Sequence, residues 1–563
     1  MPPRVMILGL DGATFRFLRP LAEQGRAPAL AALMQRGASA PLESIYPPHT
    51  SAAWPTCFTG MTPGNHGAFN FYELELTKYS RRGSPTLSDA RQGKTIFDIA
   101  GKAGMKVASI HVPMTFPAWP VNGVMFSGYP APAGSSACAF PRDRAARWGN
   151  LTGVTWTLDP VKRLDWSKHH IARQTEICEE VLTNEQPDLF MTVFMESDWA
   201  HHYFMRYSDD RSPAYTKADA ARYGDYIDRM YIALDEALTR LLKYAGPETT
   251  VLVVSDHGGT VSAPNAFHLN AWLAEQGYFV PVSGGAAKAG YGLTRAAIKR
   301  LKRFPVREMK EQAWFRRISP ALKVPAAVVK KAGLGGVMDR VYEVADSGTK
   351  FDPEKTRAYR FQIVTQAEGV VINLAGRQPQ GIVQPGQEYE ALRDKIIAGL
   401  RELRTPDTNE PLMLGVYRRE EIFPGTYMEQ VPDIIMRLHP MYRVGINPEP
   451  PFFTKLTKDD VRGPLSGWHD DYGIMIAAGP GINAGAEVDN ALLLNMAPTA
   501  LRGLGLAAPD WMEGAVQPGV YASEADLVTV AAGGPSAFNA DEYAVTEEEE
   551  ASIKERLENL GYL

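Results

Sequence analysis

The sequence predicts an α/β protein: a doubly wound, mostly parallel sheet carrying an inserted α+β cap. Three observations point there. Short, nearly continuous apolar runs recur, as strands buried on both faces require, and segments of helical spacing alternate with them. Acidic and imidazole residues directly follow several of these runs, and ligands gather outside the carboxyl ends of strands in open α/β sheets. After His257 the composition and charge change, as at an insertion.

Val5 to Leu10 is the first buried strand, with Asp11 at its carboxyl end. Phe15 to Arg36 reads as helical with a break near Pro28, and Ala38 to Tyr46 leads into a Pro-rich loop before Thr50. Thr95 to Ala103 is a helix and Lys106 to His111 a strand. Val112–Pro117 and Phe126–Pro130 read as loop around a further strand. Ile171 to Leu182 is helical by spacing. Leu189 to Phe194 is a strand that delivers Asp198, and Ala218 to Tyr244 reads as one long helix. Thr250 to Val254 is a strand that delivers Asp256 and His257.

Beyond that point a helix begins at Asn270 and ends near Gly277. Arg295 to Lys331 holds twelve Lys/Arg against two Glu, in a chain whose net charge is −5. Its apolar and basic residues suggest amphipathic helices able to touch an anionic membrane surface, although a solvated cap face is the simpler reading. Val370–Leu374 and Leu412–Tyr417 read as strands and Tyr389–Leu403 as an amphipathic helix. Asp433–Met436 and Gly473–Ala477 read as a return to the main sheet. Thr546 and Glu549 form a capping box for a last helix. There Ile553, Leu557 and Leu560 share a face and Gly561 is a natural stop. The expected organisation is a core segment over 1–285, a basic helical and α+β cap over 286–429, a second core segment over 430–530, and a linker with a terminal helix over 531–563.

An acidic balance argues against general nucleic-acid binding. Three cysteines, Cys57, Cys138 and Cys178, do not make a disulfide scaffold and fit a reducing compartment. With no signal-peptide pattern and no apolar run approaching the ~20 residues of a membrane span, a cytoplasmic address is expected.

Thr50 stands where the loop Pro47-Pro48-His49 gives way to a helix, and a helix start suits a phosphate. An isolated Thr hydroxyl is most often a helix cap. As a nucleophile it needs activation, for which a metal ion serves. Residue types that can ligate one are present, among them Asp11, Asp198, His202, Asp256, His257 and His469. Asp198 and His202 are spaced i, i+4, so both can face one side of a helical turn, with His201, about a quarter turn away, as the rival neighbour; the resemblance given next is what favours His202. Carboxylates and imidazoles without thiolates suit zinc, with manganese or magnesium as lesser options.

The order of these residues, in Leu10-Asp11-Gly12, Pro48-His49-Thr50, Ser197-Asp198…His202, Ser255-Asp256-His257-Gly258 and Trp468-His469-Asp470, resembles the alkaline phosphatase superfamily and, within it, the type I phosphodiesterase/nucleotide pyrophosphatase branch. The resemblance implies an alkaline phosphatase-like fold and two metal ions. One would be held by Asp198, His202 and His469, the other by Asp11, Asp256, His257 and the Thr50 oxygen. It further implies a phosphothreonine intermediate, with Asn70 placing its amide against a substrate oxygen. The expected substrate is a small phosphodiester or pyrophosphate. A phosphomutase or phosphomonoesterase of the same superfamily is the near alternative, and a scaffold on an inactive fold the distant one. Sulfatase chemistry is disfavoured because Cys57 lacks a Cys-x-Pro-x-Arg setting. Among other residues, His66 is expected to support the turn after the Thr50 helix. Asn373 and Arg377 fit a strand-end turn, though Arg377 could instead reach toward substrate.

Overall fold

Val5–Leu10 is fully buried along its length, and its neighbours on both sides run parallel to it: Leu189–Phe194 pairs Val5 with Leu189, and Thr250–Val254 pairs Val5 with Thr250. In this computed structural model, which describes residues 1–79, 83–148, 159–282, 351–364, 366–458, 460, 465–530 and 545–560, these strands form the centre of a ten-stranded sheet. Its order runs Ala486–Glu487, Ala38–Glu43, Tyr472–Ala478, Thr250–Val254, Val5–Leu10, Leu189–Phe194, Val107–Val112, Gly123–Ser127, Ala139–Phe140, with Ala491–Leu492 also on Ala38–Glu43. The doubly wound, largely parallel sheet is therefore observed. Its antiparallel exception near the centre is Tyr472–Ala478, which pairs antiparallel with both Thr250–Val254 and Ala38–Glu43.

Helices cover the sheet as the pattern required, with instructive differences. The helical stretch after Asp11 divides into Phe15–Glu23 and Pro28–Arg36, since Pro28 opens a helix where its missing N–H costs nothing. The helix expected over Ile171–Leu182 extends over Pro160–Asn184, because Asp159 caps Val161 and Lys162 and Pro160 takes the first position. The single helix expected over Ala218–Tyr244 is corrected to two main segments, Lys217–Tyr223 and Tyr226–Leu241, parted at Gly224. A Cβ on Gly224 would lie 2.5 Å from the Ala220 carbonyl oxygen, so the close approach there admits only glycine.

A second, four-stranded antiparallel sheet runs Ala358–Val364, Ala367–Ile372, Ile434–Leu438, Met413–Arg418, with helix Gln387–Glu402 burying Leu392, Ile396 and Leu400 in a separate core. The expected return to the main sheet at Asp433–Met436 is corrected here: Ile434 pairs with Val370 and Arg418 in the smaller sheet, which thus extends past residue 430. Gly473–Ala477 does rejoin the main sheet. The terminal helix Glu547–Leu560 has its Thr546–Glu549 capping box and buries Ile553 and Leu557 in the main core. The basic stretch 295–331, and with it the membrane-contact reading, lies outside the described residues, as do Gly561 and the linker expected over Ala531–Asn539. Among the described residues no helix is long and apolar enough to cross a membrane.

Candidate metal centre

Six ligand candidates and one hydroxyl converge at the carboxyl ends of the central strands. Asp11 follows Val5–Leu10, Asp256 and His257 follow Thr250–Val254, and helix Glu196–Ser208 carries Asp198 and His202 just past Leu189–Phe194. Thr50 is the first residue of helix Thr50–Thr59, all of which is buried. The cap is His49, whose Nδ1 accepts the Ser51 N–H. The Thr50 hydroxyl is thereby left out of the capping role and faces the cluster. Its Oγ1 donates to Asp11 Oδ1 at 3.3 Å and lies 3.4 Å from His257 Nε2.

His469 arrives by a route that strand runs do not reveal. It sits on strand Gly467–Asp470, antiparallel to Gly258–Val261, directly opposite Gly259. A Cβ on Gly259 would come within 1.9 Å of His201 Nδ1, so glycine is what lets this ribbon close onto helix Glu196–Ser208. His201 itself stacks on Phe17 and meets Tyr231. It turns away while His202 turns in.

Two groups are close enough to hold ions: Asp198, His202 and His469, and Asp11, Asp198 and His257. Asp256 joins the second, its Oδ2 lying 3.4 Å from His257 Nε2. Three features fit the residues to divalent cations. First, each imidazole has its Nδ1 against a backbone carbonyl: His202 on Gly467 (2.8 Å), His469 on Pro48 (2.8 Å) and His257 on Gly258 (2.9 Å). A carbonyl only accepts, so Nδ1 carries the proton and Nε2 turns a lone pair inward. Second, His202 Nε2 and His469 Nε2 are 3.2 Å apart, a repulsive arrangement of lone pairs unless a proton or a metal lies between them. Third, Asp256 Oδ2 is buried and has no hydrogen-bond partner among the described residues, while Oδ1 accepts the Gly12 N–H.

The electrostatics agree. Burial, with Asp256 and Asp198 close by, holds Asp11 well above the usual carboxylate range, and burial lifts Asp256 to about 6. Burial also opposes charge on His202, yet Asp198 at 3.2 Å raises its pKa above the ordinary value. A proton is drawn to the place a cation would take. His469 is held well below the ordinary imidazole value by burial and by His257, His202 and His49. A buried group of three carboxylates is costly without compensating positive charge.

Asn70 is tied to the smaller sheet. Its Nδ2 donates to Ile363 O at 2.7 Å in the smaller sheet, and its Oδ1 accepts the Phe71 N–H. Arg377 does not reach toward the ligands: its guanidinium pairs with both oxygens of buried Asp433 at 2.6 Å and with Ile372 O. Asn373 is a structural amide that donates to Pro353, Thr356 and Gln380 carbonyls. His66 accepts the Ala68 N–H and meets Thr56 Oγ1, bracing the turn after the Thr50 helix.

Sequence reasoning missed three participants. His49 is the cap. Trp54, one turn after Thr50, donates from Nε1 to Asp11 Oδ2 at 2.6 Å, and it fits because Gly9 has no side chain: a Cβ there would stand 2.6 Å from the indole. Gln366 accepts the His469 N–H at its Oε1 (3.2 Å). The i, i+4 spacing of Thr50 and Trp54 was the one local signal available.

The profile of the family described as type I phosphodiesterase / nucleotide pyrophosphatase matches residues 5–465. No curated protein matches the chain. Similar solved structures include human ectonucleotide pyrophosphatase/phosphodiesterase 5 (14% identity, 92% of this chain and 99% of that one, TM-score 0.47). Its murine counterpart is also similar (13%, 90% and 96%, 0.47). So is phosphonoacetate hydrolase from Sinorhizobium meliloti 1021, solved with phosphonoacetate (14%, 89% and 96%, 0.48).

Proposed function

The chain belongs to the type I phosphodiesterase/nucleotide pyrophosphatase family of the alkaline phosphatase superfamily, and from that premise we propose that it cleaves phosphodiester or pyrophosphate bonds through a phosphothreonine at Thr50. Family membership and the two ligand groups establish the coarser statement, a metal-dependent hydrolase acting on a small phosphate ester or pyrophosphate. The observation that carries the finer reading is the placement of Thr50 Oγ1, 3.3 Å from Asp11 Oδ1 and 3.4 Å from His257 Nε2 at a helix N-terminus.

Asp198, His202 and His469 would hold one ion, and Asp11, Asp256, His257 and Thr50 Oγ1 the other. Two divalent ions, zinc by the nitrogen and oxygen donor set, supply Lewis acidity that acidifies the Thr50 hydroxyl and offsets charge on the phosphoryl oxygens. Thr50 Oγ1 attacks phosphorus in line, its proton directed at Asp11 Oδ1. The bond to the leaving oxygen breaks as the new one forms. The positive end of the dipole of helix Thr50–Thr59 favours the negatively charged phosphoryl group beside Thr50. Water then attacks the phosphothreonine and frees Thr50 for the next cycle.

A diester carries one negative charge where a monoester carries close to two, and a site for monoesters needs an added cation. With Arg377 committed to Asp433, the diester is the favoured substrate class. Asn70, whose second amide N–H is not taken up by Ile363, is offered as a neutral donor to a substrate oxygen. The three cysteines are free and buried, which suits the cytoplasm as its compartment.

A nitrophenyl diester should be cleaved with a higher kcat/KM than the matching monoester. Thr50→Ala should retain metal and lose nearly all turnover, and Thr50→Ser should keep part of it. Asn70→Ala should raise the diester barrier by roughly 2–4 kcal/mol. Normal turnover by Thr50→Ala would reduce Thr50 to a helix residue and end the covalent reading. A clear monoester preference, with Asn70→Ala silent, would move the assignment to a phosphomonoesterase or phosphomutase.

A further inference from the structure

The smaller sheet sends one side chain to the metal ligands. Strands Ala358–Val364 and Ala367–Ile372 form a hairpin whose last pair is Val364 with Ala367, and Gln366 lies in its turn. Gln366 has φ of +77°, in the left-handed region that disfavours any residue bearing a Cβ. Glycine or asparagine would hold such a turn at lower cost. Strain of this kind at a non-glycine residue collects where a side chain serves a function. The side chain is half-buried and reaches strand Gly467–Asp470, where Oε1 accepts the N–H of His469 at 3.2 Å.

That contact fixes the amide's orientation. A backbone N–H only donates, so the oxygen must face His469. Nε2 is then left with two N–H groups, and among the described residues neither has an acceptor. The hairpin that carries it is anchored from the nucleophile side: Asn70 Nδ2 holds Ile363 O at 2.7 Å, and Tyr46 OH holds Met436 O at 2.7 Å on the same sheet. An amide donor is thus presented on a pinned scaffold beside the Asp198, His202 and His469 group.

We propose that Gln366 is a specificity-determining residue whose Nε2 donates to an oxygen of a singly charged phosphodiester, on the side of the site formed by Asp198, His202 and His469. This rests on the metal-dependent phosphoester reading given above. A neutral donor complements one negative charge, and its placement on the smaller sheet makes that sheet part of the substrate site. Gln366 also steadies the strand of His469, so the test must separate contact with substrate from support of the ligand.

Gln366→Glu does so. A carboxylate still accepts the His469 N–H but offers no donor and adds a negative charge. Gln366→Gly removes the side chain while suiting the positive φ, so its Tm should equal or exceed that of the wild type. Binding of diethyl phosphate, a slow-reacting diester, to the zinc-loaded full-length protein is measured by calorimetry, alongside metal content. Gln366→Glu should retain both ions and bind diethyl phosphate roughly 10- to 100-fold more weakly, the scale of one hydrogen bond to a charged oxygen. Its kcat/KM for a nitrophenyl diester should fall in step. Equal affinity in wild type and Gln366→Glu would overturn the proposal, as would no binding to wild type. So would loss of metal from Gln366→Glu, because the residue would then act only through His469. Failure of the underlying reading has a different signature: zinc-loaded wild type would turn over no phosphoester at all.

Discussion

Trp54→Phe removes one N–H and part of one ring from beside Asp11. Trp54 is fully buried, and its Nε1 donates to Asp11 Oδ2 at 2.6 Å while Asp11 Oδ1 faces Thr50 and His257. Phe preserves the aromatic body over Gly9 but cannot donate. A hydrogen bond to a charged acceptor is worth about 1.5–3 kcal/mol. The missing ring atoms leave a void of ~40 Å³, which at about 24 cal/mol per Å³ adds about 1 kcal/mol against the fold. The stability loss is therefore about 2.5–4 kcal/mol, read by urea unfolding in chelator. The functional consequence is separate. Without the indole, Asp11 loses the group that orients it and favours its charged form, and such partners of metal ligands are worth 10–100-fold in affinity on a rough scale. Competition titration with a zinc indicator should show the site containing Asp11 weakened by that factor and the site of His202 and His469 nearly unchanged. If both affinities stay at wild-type values while stability falls, Trp54 is packing alone and the assigned role is wrong.

Three further outcomes follow from the same geometry. Chelation should abolish turnover and added zinc should restore it, with about two ions per chain by elemental analysis; full activity without metal would exclude the two-ion reading. Arg377→Ala removes the bidentate partner of buried Asp433 and leaves Arg419 at 3.7 Å as its remaining cation, so urea unfolding should show a loss of about 1.5–3 kcal/mol, while kcat/KM of the folded protein holds; lost turnover in folded protein would put Arg377 back at the site. In the metal-free protein burial pushes Asp256 up to about 6, against about 3.9 in an unfolded chain. The native state then keeps a proton that the unfolded chain releases, so stability is greatest below about pH 4 on this account and falls by about 3 kcal/mol as pH rises through about 6. Asp256→Asn should flatten that slope, and an unchanged slope would contradict it.

Most of the sheet was legible, and so was the gathering of Asp11, Asp198 and Asp256–His257 at one edge, because each trails an apolar strand and parallel strands collect their carboxyl ends together; His469, on a short antiparallel strand, was reached only through the resemblance. What escaped was information that depends on distant partners. The run Ile434-Ile435-Met436 has no local mark of which sheet it joins, and the answer lies in Val370 and Arg418. Strand Ala358–Val364 was not anticipated at all, its Arg360 and Gln362 interrupting the apolar pattern. Asn70 was singled out by position, yet its amide direction is decided by Ile363, nearly three hundred residues away in sequence. Trp54 and Gln366 gained their roles in the same way, from a glycine on another strand and from a backbone N–H across the molecule.

The position of Tyr472–Ala478 inside the sheet has a consequence for biosynthesis. A growing chain makes Ala38–Glu43 and Thr250–Val254 long before the strand that belongs between them. Until then both present unpaired backbone edges, the kind that invites association between chains. The segment that closes this gap is preceded by His469, only three residues upstream of Tyr472. Sealing the sheet and delivering the last imidazole are one event. A nascent polypeptide cannot complete the centre Asp198–His202–His469 while its sheet is still open, so a translation product cut short before this strand should be both metal-poor and prone to aggregate.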